Sequence, residues 1–191
     1  MEIWFDEDWL KAFYQALVEI YRNTDFPITE GYNEGIISAC VERPLTDIYS
    51  IIPFPHLLHR AAVLMDTVIT FHPFADGNKR VGLLATFYLL YWNGYDMKIP
   101  IDADEFTIEV AEGHKNLNDI LSWLIANSRK DAASILRNLL CGFLTMLGDN
   151  RVSEEIANLF VPLLLPLYPL EWFASKIQRS RKKTEKYVHG P

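Results

Sequence analysis

Between Asn78 and Asn93 nearly every helical face is apolar: Val81, Leu83, Leu84, Phe87, Leu89 and Leu90 leave no side suited to water. A helix of that kind is stable only when enclosed, so this segment demands a shell of other elements around it. The Asn93-Gly94 pair supplies its stop signal. The shell is legible as further helices. Residues 5–22 carry Trp9, Phe13, Leu17, Ile20 and Tyr21 at helical spacing. Residues 55–71 do the same with Leu57, Leu58, Ala61, Ala62, Leu64, Met65, Val68 and Ile69. Shorter helices are expected over 32–43, 103–113 and 117–127, and others over 131–147, 153–161 and 170–182. No segment sustains a two-residue alternation, no period repeats, and no low-complexity linker interrupts the chain. The expected class is all-α.

One stretch breaks the pattern. From Leu45 to Pro55, Thr46, Tyr49, Ile51 and Ile52 favour extended backbone, and Pro44 and Pro53 bracket them. A loop or short β-like flap is expected there.

Composition narrows the function. With 50% hydrophobic and 23% charged residues the chain has ample material for a core. A formal net charge of -7 argues against general nucleic-acid binding, which needs a basic surface. Cys40 and Cys141 lie far apart and match no metal or disulfide spacing, as expected for reduced thiols in a cytoplasmic protein. The start, MEIWFDEDWL, holds acidic residues and no long apolar run, which argues against a secretory signal. The apolar stretch NLFVPLLLPLYPLEWF is broken by Pro162, Pro166 and Pro169, whereas a spanning helix needs about 20 mainly apolar residues. It reads as a buried or partner-facing segment, and no membrane role is expected.

Between the two strongest helices lies Phe71-His72-Pro73-Phe74-Ala75-Asp76-Gly77-Asn78-Lys79-Arg80. Pro73 disfavours the α conformation at His72, so the first helix should end there. Gly77 tolerates backbone that other residues resist, and the next helix should begin near Asn78. A glycine turn feeding a helix N-terminus leaves free N–H groups and a positive dipole end, an anion site. Lys79 and Arg80 add two cations. Asp76 is unhelpful beside bare phosphate but useful if Mg²⁺ lies between carboxylate and phosphates. His72 carries an imidazole, a side chain suited to take a proton from an attacking hydroxyl. Phe74 is expected to point into the core and anchor the loop. Singly, each residue has an ordinary explanation: a hydrogen-bonded histidine, an Asp-Gly-Asn turn, a solvated Lys-Arg. Their combination within nine positions points to phosphate-ester chemistry.

HPFADGNKR resembles the Fic signature, His-x-Phe-x-Asp/Glu-Gly-Asn-Gly-Arg-x-x-Arg. It resembles the Doc (death-on-curing) branch more closely, where Lys replaces the third small residue of Gly-Asn-Gly. GYNEGIISACVERP, LATFYLLYWNGY and IEVAEGHKNLNDILSWL are similar to that branch as well, so the likeness covers roughly residues 28–128. The resemblance implies a Fic/Doc domain over 1–129; residues 130–191 lie outside it and read from their own pattern as a helical extension with a basic tail. It makes His72 the base, Asp76 the Mg²⁺ ligand, and Gly77, Asn78, Lys79 and Arg80 the phosphate contacts. Thr46, Tyr49 and Ile51, in the flap over about Leu45–Ile52, would clamp a target segment by strand-like pairing. ATP or another nucleoside triphosphate would be co-substrate. The implied activity is that of a toxin transferring a phosphoryl group to a protein Ser/Thr hydroxyl, with a translation factor as target. AMP transfer to Ser, Thr or Tyr is the enzymatic alternative, and a silent nucleotide- or partner-binding scaffold the other.

Departures from the signature carry information. Its second Arg falls on Leu83, and Lys79 stands where AMP-transferring Fic proteins have Gly, which favours phosphotransfer. Gly77 keeps the Fic residue where Doc proteins often have Ala. No window matches the self-inhibitory pattern Ser/Thr-x-x-x-Glu-Gly/Asn: Glu112-Gly113 has Ile108 four residues before the Glu, and Thr107 one position too early. Restraint would then come from a separate antitoxin, if there is any. The extension, with Ile135, Leu136, Leu139, Leu140, Phe143, Leu144 and Leu147 at helical spacing, is an added lobe or a homodimer surface. His56, His59 and His72 together suggest a metal site that no further Cys or His completes.

Overall fold

The computed structural model describes residues 4–47 and 53–130. Tyr49 and Ile51, the helices expected over 131–147, 153–161 and 170–182, and the basic tail lie outside the described residues. The described residues form helices α1 (Glu7–Tyr21), α2 (Glu34–Glu42), α3 (Leu57–Phe71), α4 (Asn78–Trp92), α5 (Ala103–Ala111) and α6 (Leu117–Asn127). A 3-10 turn spans Arg43–Leu45, and two short strands, β1 (Tyr95–Met97) and β2 (Ser128–Lys130), complete the order. The described residues are mostly helical, as their periodicity requires. Among the described residues no helix is long and apolar enough to cross a membrane.

Helix α4 is the central element. Every residue from Val81 to Trp92 is buried, and α3, α1, α5 and β1 pack around it. The tightest approach is to α3, where an added Cβ on Gly82 would lie 2.9 Å from Ile69 Cγ1 and 3.4 Å from the Met65 carbonyl oxygen. Only glycine lets the two backbones come this close. On the α1 side the contact is aromatic: Phe13 stacks on Tyr88 with centroids 5.0 Å apart, and Trp9 meets Trp92 edge-on at 4.6 Å. Such pairs bury large areas with defined geometry, which fixes how α1 lies against α4.

Three helices carry side-chain caps that explain where they start. Asp6 accepts from the Trp9 N–H, Asn33 from the Ile36 N–H, and Asn116 forms a capping box with Asp119. The starts of α3, α4 and α5 have none.

Two features differ from the sequence reading. β1 and β2 pair antiparallel, with Tyr95 opposite Lys130 and Met97 opposite Ser128. Three-residue strands are too short to display an alternation, so their pairing follows from where α4 and α6 end. Leu45, where the flap was expected to begin, still belongs to a helical turn. Arg43–Leu45 continue α2 as a 3-10 turn with Pro44 near its start, because the fixed φ of proline suits a first helical turn. Extended backbone is first reached at Thr46 (φ -57, ψ 130).

Candidate active site

Helix α3 ends at Phe71, one residue before Pro73 begins to act on the backbone. His72 adopts φ 51, ψ 57, and it is the one non-glycine residue with positive φ among those described. The proline was expected to divert His72 from helix, and it does, into the left-handed region rather than an extended one. Holding a non-glycine residue there costs on the order of 1–3 kcal/mol and needs firm support from its surroundings.

That support comes from the segment ahead of α2. The Asn33 N–H donates to the Pro73 carbonyl at 2.8 Å, and the Ala75 N–H donates to the Gly31 carbonyl at 2.8 Å. Tyr32 and Phe74 face each other in this short antiparallel bridge. Within the loop, the Phe74 N–H donates to Asn78 Oδ1 at 2.9 Å, and Asn78 Nδ2 donates back to the Phe74 carbonyl at 2.8 Å. The loop is thereby closed on itself and pinned to a neighbour.

Phe74 is buried, as expected of an anchor, and its ring stacks on Tyr14 of α1. The Tyr14 hydroxyl donates to the Thr29 carbonyl at 2.8 Å and accepts from the Gly31 N–H at 3.0 Å. Burial raises the Tyr14 pKa above that of a free tyrosine, so this hydroxyl stays protonated and keeps its donor role.

The chemistry-bearing side chains sit on this frame. His72, Asp76 and Lys79 are exposed, while Gly77 and Asn78 are buried. Asp76 Oδ1 accepts from the Gly77 N–H at 2.6 Å, which orients the carboxylate. Gly77 takes φ 83, ψ 6, and an added Cβ there would also touch Ile28 at 3.4 Å. Helix α4 then starts with no side-chain cap and no acidic residue in its first turn. Arg80 lies over the Tyr21 ring at 4.4 Å. Burial raises the Tyr21 pKa, and Arg80 opposes that rise. Two cations at the positive end of a helix run against its dipole, an arrangement that a bound anion relieves.

For a Mg²⁺ ion the donor set is sparse but suitable. Among the described residues no group of three or more His, Cys, Asp or Glu converges, so an all-protein cage is absent. Mg²⁺ is commonly held by one or two carboxylates with phosphates and water, and exposed Asp76 fits that pattern.

Other anticipated residues fall elsewhere. Asn78 was expected to offer its amide to phosphate, and one of that amide's donors instead closes the loop on Phe74. Leu83, at the place of the signature's second Arg, is a core residue. Thr46 is exposed and donates to the Glu42 carbonyl at 3.3 Å. His56 and His59 approach each other, with rings 5.7 Å apart. They stand at the start of α3 and His72 at its end, about 22 Å away along the axis, so the three share no metal. The sequence reading missed Tyr14, Gly31 and Asn33 as supports of the loop. Their role is long-range and leaves no local motif beyond Gly31 itself, whose φ of 147 places it in the range that favours glycine.

Comparison with known proteins finds relatives over the part of the chain that holds this loop. The sequence model of the Fic/DOC family matches residues 4–90, which takes in the whole loop. Toxin Doc of Mycolicibacterium smegmatis is 31% identical over 93 residues, covering 47% of this chain and 72% of that protein.

Proposed function

Because this chain belongs to the Fic/Doc family, we propose that it acts as a Doc-like toxin, a transferase that phosphorylates a Ser or Thr hydroxyl on a target protein. The observation that carries the reading is the first turn of α4. Exposed Lys79 extends from an uncapped, acid-free helix start, with Arg80 beside it over the Tyr21 ring, and the loop that feeds this start begins at His72. Lys79 stands where the AMP-transferring signature has Gly, so an extra cation meets the nucleotide's phosphates and favours presenting the terminal one.

In the proposed step His72 takes the proton of the target hydroxyl as its oxygen bonds to the γ-phosphorus. The bond from that phosphorus to the β–γ bridging oxygen breaks, and the nucleoside diphosphate leaves with the electron pair. Lys79, Arg80 and the free N–H groups of α4's first turn offset the charge developing on the transferred group. Asp76 would hold a Mg²⁺ ion, which supplies further neutralisation of the phosphates. Asn78 acts by keeping the loop closed, through its two bonds to Phe74.

AMP transfer is the second reading, favoured by Gly77, which keeps the residue of the Fic signature. A translation factor is the proposed target and the cytoplasm the proposed location, with an antitoxin as the partner that restrains the enzyme. ATP labelled separately at the α- and γ-phosphates, incubated with protein, Mg²⁺ and cell extract, separates the readings. Label transferred from γ alone, and lost with His72→Ala, is the expected result. Label from the α position would replace phosphotransfer by AMP transfer. No label from any nucleotide would move the reading to a binding scaffold.

A further inference from the structure

Arg43 reaches from the turn after α2 to the far end of α3. Its Nη1 donates to Asp66 Oδ2 at 3.0 Å and to Thr67 Oγ1 at 2.7 Å. The same guanidinium lies 5.3 Å from the centre of the Phe71 ring. Thr67 is fully buried, and its hydroxyl passes the link on by donating to the Val63 carbonyl at 2.6 Å. Thr67 and Phe71 are four residues apart and share one face of the helix, so a single side chain spans the whole last turn.

That turn needs the help. A residue in the left-handed conformation ordinarily lets the next N–H bond back to the helix's last carbonyls. Here the left-handed residue is His72 and the next is Pro73, which has no N–H. Helix α3 also has no basic residue in its own last turn to complement the negative end of its dipole. Arg43 brings that cation from another element, and it does so beside the residue that precedes His72.

We propose that Arg43 is a positioning residue for His72, holding the last turn of α3 in the form that presents the imidazole to the target hydroxyl. The proposal rests on His72 being the base. The Arg43–Asp66 pair is partly buried, with side-chain exposures of 38% and 20%, so its loss acts on stability as well as on the helix end, and the resonance reads the second effect apart from the first. Because one nitrogen serves both acceptors, lysine at this position retains part of the link while losing the stack on Phe71.

The test uses the full chain with histidine labelled with ¹³C at Cε1, and Arg43→Ala, Arg43→Lys and Asp66→Asn variants. The chain's 5 histidines are assigned by single substitution. Arg43→Ala is expected to shift and broaden the His72 signal while the His114 signal stays in place. It is also expected to lower kcat for protein labelling about tenfold, with nucleotide KM changed by less than about twofold. Arg43→Lys should recover part of both effects, and Asp66→Asn should move both in the same direction by less. A His72 signal unchanged in all three variants overturns the proposal, as does kcat within about twofold of wild type in Arg43→Ala. Thermal melts separate misfolding from displacement, and Arg43→Lys keeps the question open to refutation if Arg43→Ala does not fold. If the wild type transfers no phosphate or AMP, the proposed function has failed, and the resonance still decides whether Arg43 orders the α3 end.

Discussion

The rings of Tyr14 and Phe74 stack with centroids 4.4 Å apart and planes inclined by 18°. Through this contact helix α1, more than fifty residues upstream, bears on the loop between His72 and Asn78. The Tyr14 hydroxyl extends the effect by holding Thr29 and Gly31; the Gly31 carbonyl accepts from the Ala75 N–H, and the Asn33 N–H donates to the Pro73 carbonyl. The loop is thus gripped from one side by an aromatic ring and from another by backbone.

Tyr14→Phe keeps the ring stack and removes both hydroxyl bonds. It should lower stability by about 1–3 kcal/mol, since the Thr29 carbonyl and Gly31 N–H lose their partner. Tyr14→Ala removes the ring as well and should cost about 3–5 kcal/mol. Denaturant midpoints measure both. Protein-labelling activity should fall in Tyr14→Phe by more than the unfolded fraction explains, because the loop loses its backing.

Gly82→Ala tests the α3–α4 contact. The new methyl would sit 2.9 Å from Ile69 Cγ1, and overpacking of this kind typically costs about 1–3 kcal/mol. Ile69→Ala in the same chain removes both Cγ1 and Cδ1, the two side-chain atoms nearest that methyl. Gly82→Ala is expected to cost less in the Ile69→Ala background than in the wild type, in urea denaturation.

Lys79→Glu separates function from stability. An acid in the first turn of α4 complements the helix dipole, so the melting temperature should rise slightly, by the equivalent of about 0.3–1 kcal/mol. Transfer should collapse, because the substitution puts a negative charge against the nucleotide's phosphates. A stabilised variant that retains full activity would remove Lys79 from the site.

Stability should fall at alkaline pH. Burial pushes the Cys40 thiol and the Tyr88 hydroxyl each up to about 12, and raises Tyr14 and Tyr21 as well. In each case the folded chain binds the proton more tightly than the unfolded chain. The stabilisation is therefore complete below the ordinary cysteine value of 9.0 and is lost as pH climbs from there toward about 12. Urea unfolding at a series of pH values from neutral to alkaline follows the decline. Cys40→Ala should delay its onset until the tyrosines begin to titrate, near 10.0.

Much of the site was readable residue by residue. The apolar run of α4 required a central helix, Pro73 required α3 to end before it, and Gly77 required a turn, because each constraint acts on the backbone within a few positions. A positive helix start carrying Lys79 and Arg80 follows from the same local rules, as does the family likeness of HPFADGNKR.

The tertiary structure decided everything that depends on partners distant in the chain. It sent His72 into the left-handed region, because bonds from Asn33 and Gly31 hold the following residues in place. It turned the Asn78 amide onto Phe74 as a clasp for the loop, and brought Tyr14 and Arg43 to either end of the motif. It also paired β1 with β2, whose three residues each hold too little pattern to read. Local sequence governs which conformations a residue prefers; which hydrogen-bonding and packing partners it meets is set only when the helices close around α4.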